Sequence, residues 1–243
     1  MKFIAVFFFM VFLRLIAASE NVPFTALSTG NVINRNIIVD IHNTLRRTAS
    51  PTAGNMLKMR WNNDASKTAE IWAKTCNQAH SAVDSRVIPG FKCGENLFLS
   101  NFKASWDDVI KSFHSEYTDF EYGKGAKQSG TVIEHYTQVM WYSSFQVGCY
   151  VQECLQSEFR YYYVCHYCPW GNIKGKVGFP YKSGPACADC PESCDRGLCT
   201  NFCPYQDKYG NCDEFNKGDS CNTDQSLRED CPGTCLCRNN EIK

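Results

Sequence analysis

Four polar residues have the types that could do chemistry in a small site: His80, Glu95, Glu116 and His135. Each lies in a segment that otherwise has the composition of packed structure, and His135 stands in the aromatic stretch 134–141. Neutral imidazoles bind Zn²⁺ well, and carboxylates orient such ligands or act as acids and bases. The four residues therefore predict a metal-binding or acid–base cleft, provided that the fold brings them together.

The spacing of these residues leaves a second interpretation open, in which each histidine is a structural residue with a satisfied ring. Glu116 borders the apolar stripe of a predicted helix and could equally face solvent. A secreted protease that uses the cleft is disfavoured, because Ser81 directly follows His80 and no Gly-x-Ser-x-Gly elbow is present in the sequence. We therefore expect no catalytic residues and no enzymatic activity.

The candidate residues are attached to predicted helices and strands. Apolar residues recur at helical spacing in residues 36–47, in residues 64–76 and after Ser105, a typical N-cap residue. Aromatic and β-branched residues predict strands at 136–141, 147–151 and 160–167. Helices and strands interleave without a βαβ repeat, which indicates an α+β fold with helices packed on a mainly antiparallel sheet.

The N-terminus has the pattern of a secretory signal. A lysine precedes an apolar run over residues 3–16, and small residues follow at 17–19. We expect residues 1–19 to be a signal peptide and the mature protein to be secreted and extracellular. The formal net charge is +0, so nothing in the charge balance suggests nucleic acid as a partner.

Cysteine usage divides the remaining chain into two parts. Of the 16 cysteines, the last ten fall within residues 187–243. An even number in a secreted chain indicates disulfides rather than zinc clusters, although spacing alone leaves the pairing open. Residues 187–243 also carry 6 Lys and Arg against 11 Asp and Glu, a net charge of −5. The tail is therefore an acidic segment that depends on crosslinks, because it is too short for a large core.

Several motifs together resemble those of the cysteine-rich secretory proteins of the CAP superfamily. They are Cys-Gly-Glu-Asn-Leu at 93–97, His-Tyr-Thr-Gln-Val-Met-Trp at 135–141, the stretch 163–172, and the cysteine tail with Gly-Leu-Cys-Thr-Asn at 197–201. The resemblance implies a CAP α-β-α sandwich over residues 20–182. It further implies a disulfide-rich hinge at 183–200 and a helical cysteine-rich domain at 201–243, similar to the sea-anemone potassium-channel toxin ShK.

The resemblance also implies site residues. The family's cleft tetrad falls on His80, Glu95, Glu116 and His135, and the two histidines would bind Zn²⁺ as in related proteins. Glu134 departs from the family pattern, because many relatives carry glycine there; its carboxylate could assist cation binding or face solvent. The implied disulfides are Cys76–Cys154, Cys93–Cys168, Cys149–Cys165, Cys187–Cys194, Cys190–Cys199, Cys203–Cys237, Cys212–Cys231 and Cys221–Cys235.

For function, the resemblance implies a secreted binding protein that engages an ion channel or a cell-surface receptor through its C-terminal module. A mammalian reproductive-tract type, with sperm or egg membrane proteins as partners, fits residues 163–168 and the closing residues 241–243. Sterol or lipid contact by the CAP domain and oligomers bridged by Zn²⁺ are further options. A venom-type channel blocker is the alternative, but the acidic tail disfavours plugging of a cation channel, which normally requires a basic face.

Overall fold

The structure, a computed structural model, describes residues 23–243, so the predicted signal segment 1–19 lies outside the described residues. The helices within the described range are α1 Val32–Arg46, α2 Asn63–Ala73, α3 Trp106–Ser115, α4 Glu134–Val139, α5 Cys212–Phe215, α6 Ser220–Thr223, α7 Gln225–Asp230 and α8 Pro232–Leu236. Short 3₁₀ turns cover Phe24–Leu27, Val83–Ser85 and Glu116–Asp119. None of the helices described is long and apolar enough to cross a bilayer.

The strands alternate with these helices and are mostly short. They are β1 Arg60–Trp61, β2 Val87–Ile88, β3 Phe91–Lys92, β4 Gly94–Ser100, β5 Phe120–Glu121, β6 Gly125–Ala126, β7 Gln146–Glu153, β8 Tyr161–Cys168, β9 Cys194–Asp195 and β10 Leu198–Cys199. Four of them form the central sheet in the order β1-β7-β8-β4. Only β1 pairs in parallel within that sheet, so the prediction of a mainly antiparallel α+β fold is confirmed.

Helices cover both faces of the central sheet, which makes an α-β-α sandwich. Tyr162 and Val164 of β8 pack against Ala69 and Ala73 of α2 on one face. On the other face, Tyr163 contacts Trp106 at the start of α3, with ring centroids 5.3 Å apart. Every residue of β8 is buried, as expected for a strand that is covered on both sides.

Two helix boundaries follow from their caps. The first helix begins four residues before the predicted start at residue 36, because the Asn31 side chain accepts a hydrogen bond from the Ile33 nitrogen and caps α1. Helix α3 begins as predicted, since the Ser105 hydroxyl accepts from the Asp108 nitrogen at 3.1 Å. Helix α3 then runs to Ser115, and Glu116 follows directly after it.

The predicted strand at 136–141 is wrong, because these residues begin within helix α4 and continue into a turn. Helix α4 is only six residues long, and its N-terminal N–H groups need an acceptor. Glu116 provides it, since its Oε2 accepts from the His135 nitrogen at 3.0 Å and the Tyr136 nitrogen at 3.1 Å. A carboxylate from a distant part of the chain therefore stabilises a helix that the local residue types do not favour.

A buried arginine fixes the other end of α4. Arg46 is 1% exposed, and one of its Nη atoms donates to the carbonyl oxygens of Val139 at 2.8 Å and Trp141 at 2.9 Å. Its Nε donates to the Leu57 carbonyl at 2.9 Å. Burial lowers the pKa of this guanidinium to about 9, which leaves it charged at neutral pH. The helix that carries His135 is thus held at both ends by charged side chains.

All 16 cysteines are paired, and no free cysteine occurs in the described chain. The pairs are those implied by the family resemblance: Cys76–Cys154, Cys93–Cys168, Cys149–Cys165, Cys187–Cys194, Cys190–Cys199, Cys203–Cys237, Cys212–Cys231 and Cys221–Cys235. The last three pairs lie within residues 201–243 and hold helices α5 to α8 around a small core of half-cystines and Leu227. Crosslinks therefore replace a large apolar core in this part.

The C-terminal part packs against the sandwich. Phe202 stacks on Phe145, with ring centroids 4.2 Å apart, and the Arg60 guanidinium lies 4.4 Å from the Phe202 centroid. The preceding residues 183–200 pack as well, because the Lys58 nitrogen donates to the Cys199 carbonyl at 2.8 Å and the Cys199 nitrogen donates to the Met56 carbonyl at 2.8 Å. The segment predicted as a hinge is therefore attached along its length to the first part of the chain.

Candidate functional site

The first part of the site is a histidine–glutamate pair at the start of β4. His80 lies in the segment after α2, and its Nδ1 is 2.7 Å from Oε1 of Glu95. The Glu95 side chain is 0% exposed, whereas the His80 side chain is 60% exposed. A buried carboxylate thus holds a ring that faces solvent.

Glu95 accepts hydrogen bonds from several further groups. Ser81 donates its backbone N–H to Oε1 at 2.9 Å and its hydroxyl to Oε2 at 2.8 Å. Arg86 donates to Oε1 at 3.3 Å. Burial alone would raise the pKa of Glu95, but hydrogen bonds from His166 and His80 outweigh it and hold the pKa well below its ordinary value. Glu95 is therefore an anion at neutral pH and a poor base.

His166 is a site residue that the sequence did not reveal. It lies directly opposite Glu95 in the β4–β8 pairing, is 0% exposed, and its Nε2 is 3.0 Å from Oε2 of Glu95. Its Nδ1 is 2.8 Å from the Thr68 hydroxyl oxygen on α2. Burial lowers the pKa of His166, although Glu95 acts in the opposite direction. Only the register of the strands, which cannot be read from residue types, places this ring beside Glu95.

The second part of the site is His135 with Glu116. The His135 Nδ1 is 2.6 Å from Oε1 of Glu116, while Oε2 of the same carboxylate caps α4. Phe113 stacks on the imidazole with ring centroids 5.3 Å apart and an interplanar angle of 17°. The His135 side chain is 29% exposed and that of Glu116 is 19% exposed. Glu116 is thus a bonded residue of the site rather than a carboxylate that faces solvent.

Neighbouring residues of β4 link the two pairs. Glu95 binds His80, and the Asn96 side chain donates to the His135 carbonyl oxygen at 3.0 Å. Because β4 is the last strand of the sheet, Glu95 and Asn96 lie on an edge strand. In both, Nδ1 of the ring faces a carboxylate, and within the described chain neither His80 nor His135 has a hydrogen bond at Nε2. Each ring can therefore offer Nε2 to a ligand, as imidazoles held by carboxylates do in metal sites.

Other groups with metal-ligand chemistry are already used. Two tight groups of three potential ligands occur in the described residues, but their cysteines are joined in disulfides and provide no thiolate; they are Cys187, Cys190 and Cys199, and Cys203 with Cys237 and Glu241. The Glu134 carboxylate accepts from the Ile133 nitrogen at 3.0 Å, at the start of its own helix. His80 and His135, here called the imidazole pair, each keep an Nε2 without a hydrogen bond in the described chain, and such a nitrogen suits Zn²⁺.

The contacts of Ser81 bear on catalysis. Its hydroxyl donates to Glu95, and the His80 Nδ1 is occupied by the same carboxylate. A serine nucleophile needs a hydrogen bond to a general base, and Glu95 is a poor base because its pKa is lowered. The arrangement fixes these groups around a charged carboxylate and gives Ser81 no activating partner.

Comparisons with known proteins match both parts of the chain. A family model described as the cysteine-rich secretory protein family matches residues 39–167, and a second, described as Crisp, matches residues 187–243. The crystal structure of NaASP2 with Zn²⁺ is 30% identical, covers 69% of this chain and 95% of that chain, and has a TM-score of 0.57. The match therefore covers nearly the whole of that relative.

Two further solved structures show the same fold. Na-ASP-1 is 26% identical with a TM-score of 0.58, and the match covers 69% of this chain and 47% of that chain. Schistosoma mansoni venom allergen-like protein 4 is 24% identical with a TM-score of 0.52, over 63% of this chain and 96% of that chain. With the sandwich, the two histidine–glutamate pairs and the crosslinked C-terminal part, these matches show that the chain belongs to the cysteine-rich secretory protein family of the CAP superfamily.

Proposed function

We propose that this protein is a secreted, non-enzymatic binding protein whose cysteine-rich domain, residues 201–243, engages an ion channel or a receptor on a cell surface. The observation that carries the proposal is a group of exposed aromatic side chains on that domain: Tyr205 is 43% exposed, Tyr209 58% and Phe215 58%. Aromatic residues are enriched in protein interfaces and supply much of their binding energy. Eight disulfides suit the oxidising extracellular compartment where such a contact would occur.

Crosslinks make these aromatic residues effective contacts. Three disulfides lie within residues 201–243, so the frame loses little backbone entropy when a partner binds. A small crosslinked domain with aromatic residues on its surface has the properties of a preorganised recognition element.

Charge argues against the venom-type alternative, in which the domain plugs a cation channel. Residues 187–243 carry a net charge of −5, from 6 Lys and Arg against 11 Asp and Glu. Lys208, next to Tyr209, would be the natural plug, but its ammonium group is paired with Asp230 at 2.8 Å. A receptor surface or the outer part of a channel therefore fits better than a pore. Gamete membrane proteins, which the family resemblance suggests, are a narrower version of the same proposal. Sterol or lipid contact, which the resemblance assigns to the CAP domain, is a separate option.

The imidazole pair supports a second element of the proposal, a zinc site formed by His80 and His135. Both rings have Nδ1 on a carboxylate and a free Nε2, and a relative of 30% identity is described with Zn²⁺. Glu95 and Glu116 would orient the rings and increase their basicity. Bound zinc would supply a positive charge at the edge of β4 that can accept ligand atoms from a partner.

Cell binding tests the first element of the proposal. Labelled protein is added to cells that bind the wild type, and binding is measured by flow cytometry. The triple variant Tyr205→Ala, Tyr209→Ala, Phe215→Ala should bind at least about tenfold more weakly, because hot-spot aromatics each contribute about 1–2 kcal/mol or more. Tyr117→Ala is the matched control, since Tyr117 is 54% exposed on the other domain. Equal loss in the control, or none in the triple variant, contradicts the assignment to the C-terminal domain.

Titration calorimetry with ZnCl₂ tests the second element. The double variant His80→Ala, His135→Ala should lose binding, while Glu134→Gln should retain it, because Glu134 contacts its own helix start rather than either ring. Unchanged stoichiometry in the double variant would refute the zinc site without touching the cell-binding result.

A further inference from the structure

A cleft lies where the C-terminal part of the chain meets the first part, and its lining includes none of His80, Glu95, Glu116 and His135. It has a volume of about 320 Å³, which is at the lower end for small-molecule sites. Its lining includes the apolar and aromatic residues Phe145, Trp170, Tyr205, Tyr209 and Ile242. A cleft with aromatic walls suits a ligand with a small apolar body.

Residues 170–172, which form the side of the cleft contributed by the first part of the chain, are held in place by hydrogen bonds within the protein. The Trp170 nitrogen donates to the Lys92 carbonyl at 2.9 Å. Asn172, with a φ of 51°, accepts from the Thr137 hydroxyl at 2.7 Å and donates to the Glu134 carbonyl at 2.8 Å. These bonds tie residues 170–172 to α4, so this wall is preorganised.

The opposite wall contains a buried hydrogen-bond donor with no acceptor. Gln206 Oε1 accepts from the Lys92 nitrogen at 2.7 Å. Because a backbone nitrogen only donates, the oxygen must face Lys92, and this fixes which end of the amide is the NH₂ group. That Nε2 is buried and has no partner within the described residues, although Gln206 lines the cleft. An unsatisfied buried donor costs free energy that a ligand oxygen would recover.

The charged groups at the cleft also favour a ligand that carries an oxygen acceptor. Asp207 accepts from the Thr234 nitrogen at 2.8 Å and hydroxyl at 2.7 Å, and Asp213 is paired with Lys243 at 2.9 Å. Lys174 also lines the cleft, and within the described chain no ion pair or hydrogen bond involves its ammonium group. Both carboxylates therefore accept hydrogen bonds from the protein itself, while the Lys174 ammonium and the Gln206 NH₂ group have no partner in the described chain.

We propose that this cleft binds a small aromatic carboxylate. The carboxylate takes the hydrogen bond of the Gln206 amide and the charge of Lys174, and the ring packs against Trp170 and Tyr205. The site shares Tyr205 with the proposed cell-surface contact, goes beyond that contact in binding a small molecule, and uses neither His80 nor His135. Its ligand is a free small molecule, because the volume of about 320 Å³ is filled by a single ring system with a short acid side chain.

Indole-3-acetate and its neutral analogue indole-3-acetamide test the proposal on the intact two-domain protein, by titration calorimetry. We expect the acetate to bind with a dissociation constant of about 1 mM or tighter, the value for an average ligand of this size, and the acetamide at least about tenfold more weakly. In ¹H–¹⁵N spectra the side-chain NH₂ signals of Gln206 should shift on addition of the acetate, since this group gains an acceptor.

Two variants locate the binding. Gln206→Glu keeps an acceptor for the Lys92 nitrogen but removes the donor and adds a repelling charge, so acetate affinity should fall at least about tenfold. Lys174→Ala should cause a smaller loss in the same direction. Lys111→Ala, a surface lysine paired with Asp107 on α3, and Gln128→Glu, in an exposed loop, should leave affinity unchanged. No acetate binding, equal acetamide binding, or full affinity in Gln206→Glu with a wild-type fold by circular dichroism overturns the proposal.

Discussion

Replacement of Glu95 by glutamine tests whether one buried anion organises the first half of the imidazole site. The wild-type carboxylate accepts from both groups of Ser81 and from Arg86, and it contacts the rings of His80 and His166. Glutamine keeps the shape and one oxygen but brings an NH₂ group against donors. The Ser81 hydroxyl can rotate and His166 can change tautomer, so most contacts survive without the charge.

The size of the effect follows from burial. Glu95 is 0% exposed in its side chain and Arg86 is 11% exposed, so the pair is barely screened by solvent. Removal of one partner of a buried ion pair costs about 3–5 kcal/mol. Because glutamine retains several hydrogen bonds, we expect about 3 kcal/mol at pH 7. For a protein of this size that corresponds to a fall in Tm of about 6–12 °C.

The stability that Glu95 contributes should depend on pH in a defined direction. Burial raises the pKa of Glu95, but hydrogen bonds from His166 and His80 dominate and hold it below the ordinary value of 4.5. The folded state therefore releases this proton more readily than the unfolded state, and the stabilisation is complete above pH 4.5. It is lost as the pH falls below that value. The difference between wild type and Glu95→Gln should thus be largest near neutrality and shrink towards pH 3.

Urea unfolding with intact disulfides, at pH 7 and pH 3, measures the free energy of unfolding and its dependence on pH. Glu70→Gln is the matched control, since hydrogen bonds from Lys74 and Lys67 also lower the pKa of Glu70 but its pairs lie on the surface of α2. Exposed pairs contribute about 0–1 kcal/mol, so this variant should lose little. If Glu95→Gln loses no more than Glu70→Gln at pH 7, or loses as much at pH 3 as at pH 7, the account of the buried anion is refuted.

Three further predictions concern the frame of the site. Burial lowers the pKa of His42 from 6.5 to about 4. As the pH falls, the unfolded state therefore takes up the proton first, and about 3 kcal/mol of folding stability is lost between pH 6.5 and pH 4. An ordinary His42 pKa in an NMR titration would contradict this. Phe202→Ala should cost about 2 kcal/mol and speed proteolysis between the sandwich and the C-terminal part, whereas the exposed Phe215→Ala should cost less than about 0.5 kcal/mol. Equal effects would contradict a stabilising role of the Phe202–Phe145 stack. Gly148→Ala should cost about 3 kcal/mol or more in urea unfolding, because a Cβ would lie 2.1 Å from a backbone nitrogen of α2, while Gly184→Ala, with open space around it, should be close to neutral; a neutral Gly148→Ala would show that α2 can shift freely.

The sequence predicted the fold class and most elements because their signals are local. Periodic apolar residues and Ser105 located helices, and aromatic runs located β7 and β8. Helix α4 could not be found in this way, because His135 and its neighbours have strand-like residue types. The acceptor for its first N–H groups is Glu116, about twenty residues earlier, and only tertiary structure brings it there.

The contacts within the candidate site could not be predicted from the sequence for the same reason. Residue types suggested two imidazoles and two carboxylates, but not which carboxylate holds which ring. The pairing of His80 with Glu95 depends on where the segment after α2 meets β4, and that of His135 with Glu116 depends on how the end of α3 meets α4. His166 was missed because its role arises from strand register, and a histidine in an apolar run has no distinctive pattern of its own.

The stack of Phe202 on Phe145, with Arg60 over both rings, has a consequence for affinity. Two modules joined by a flexible linker lose rotational freedom when a target binds both of them, and that loss of entropy weakens the complex. Here the angle between the modules is already set before the encounter. A target that spans both modules would therefore bind two prealigned surfaces and gain avidity. A variant that weakens the Phe202–Phe145 stack should mainly dissociate faster from such a target.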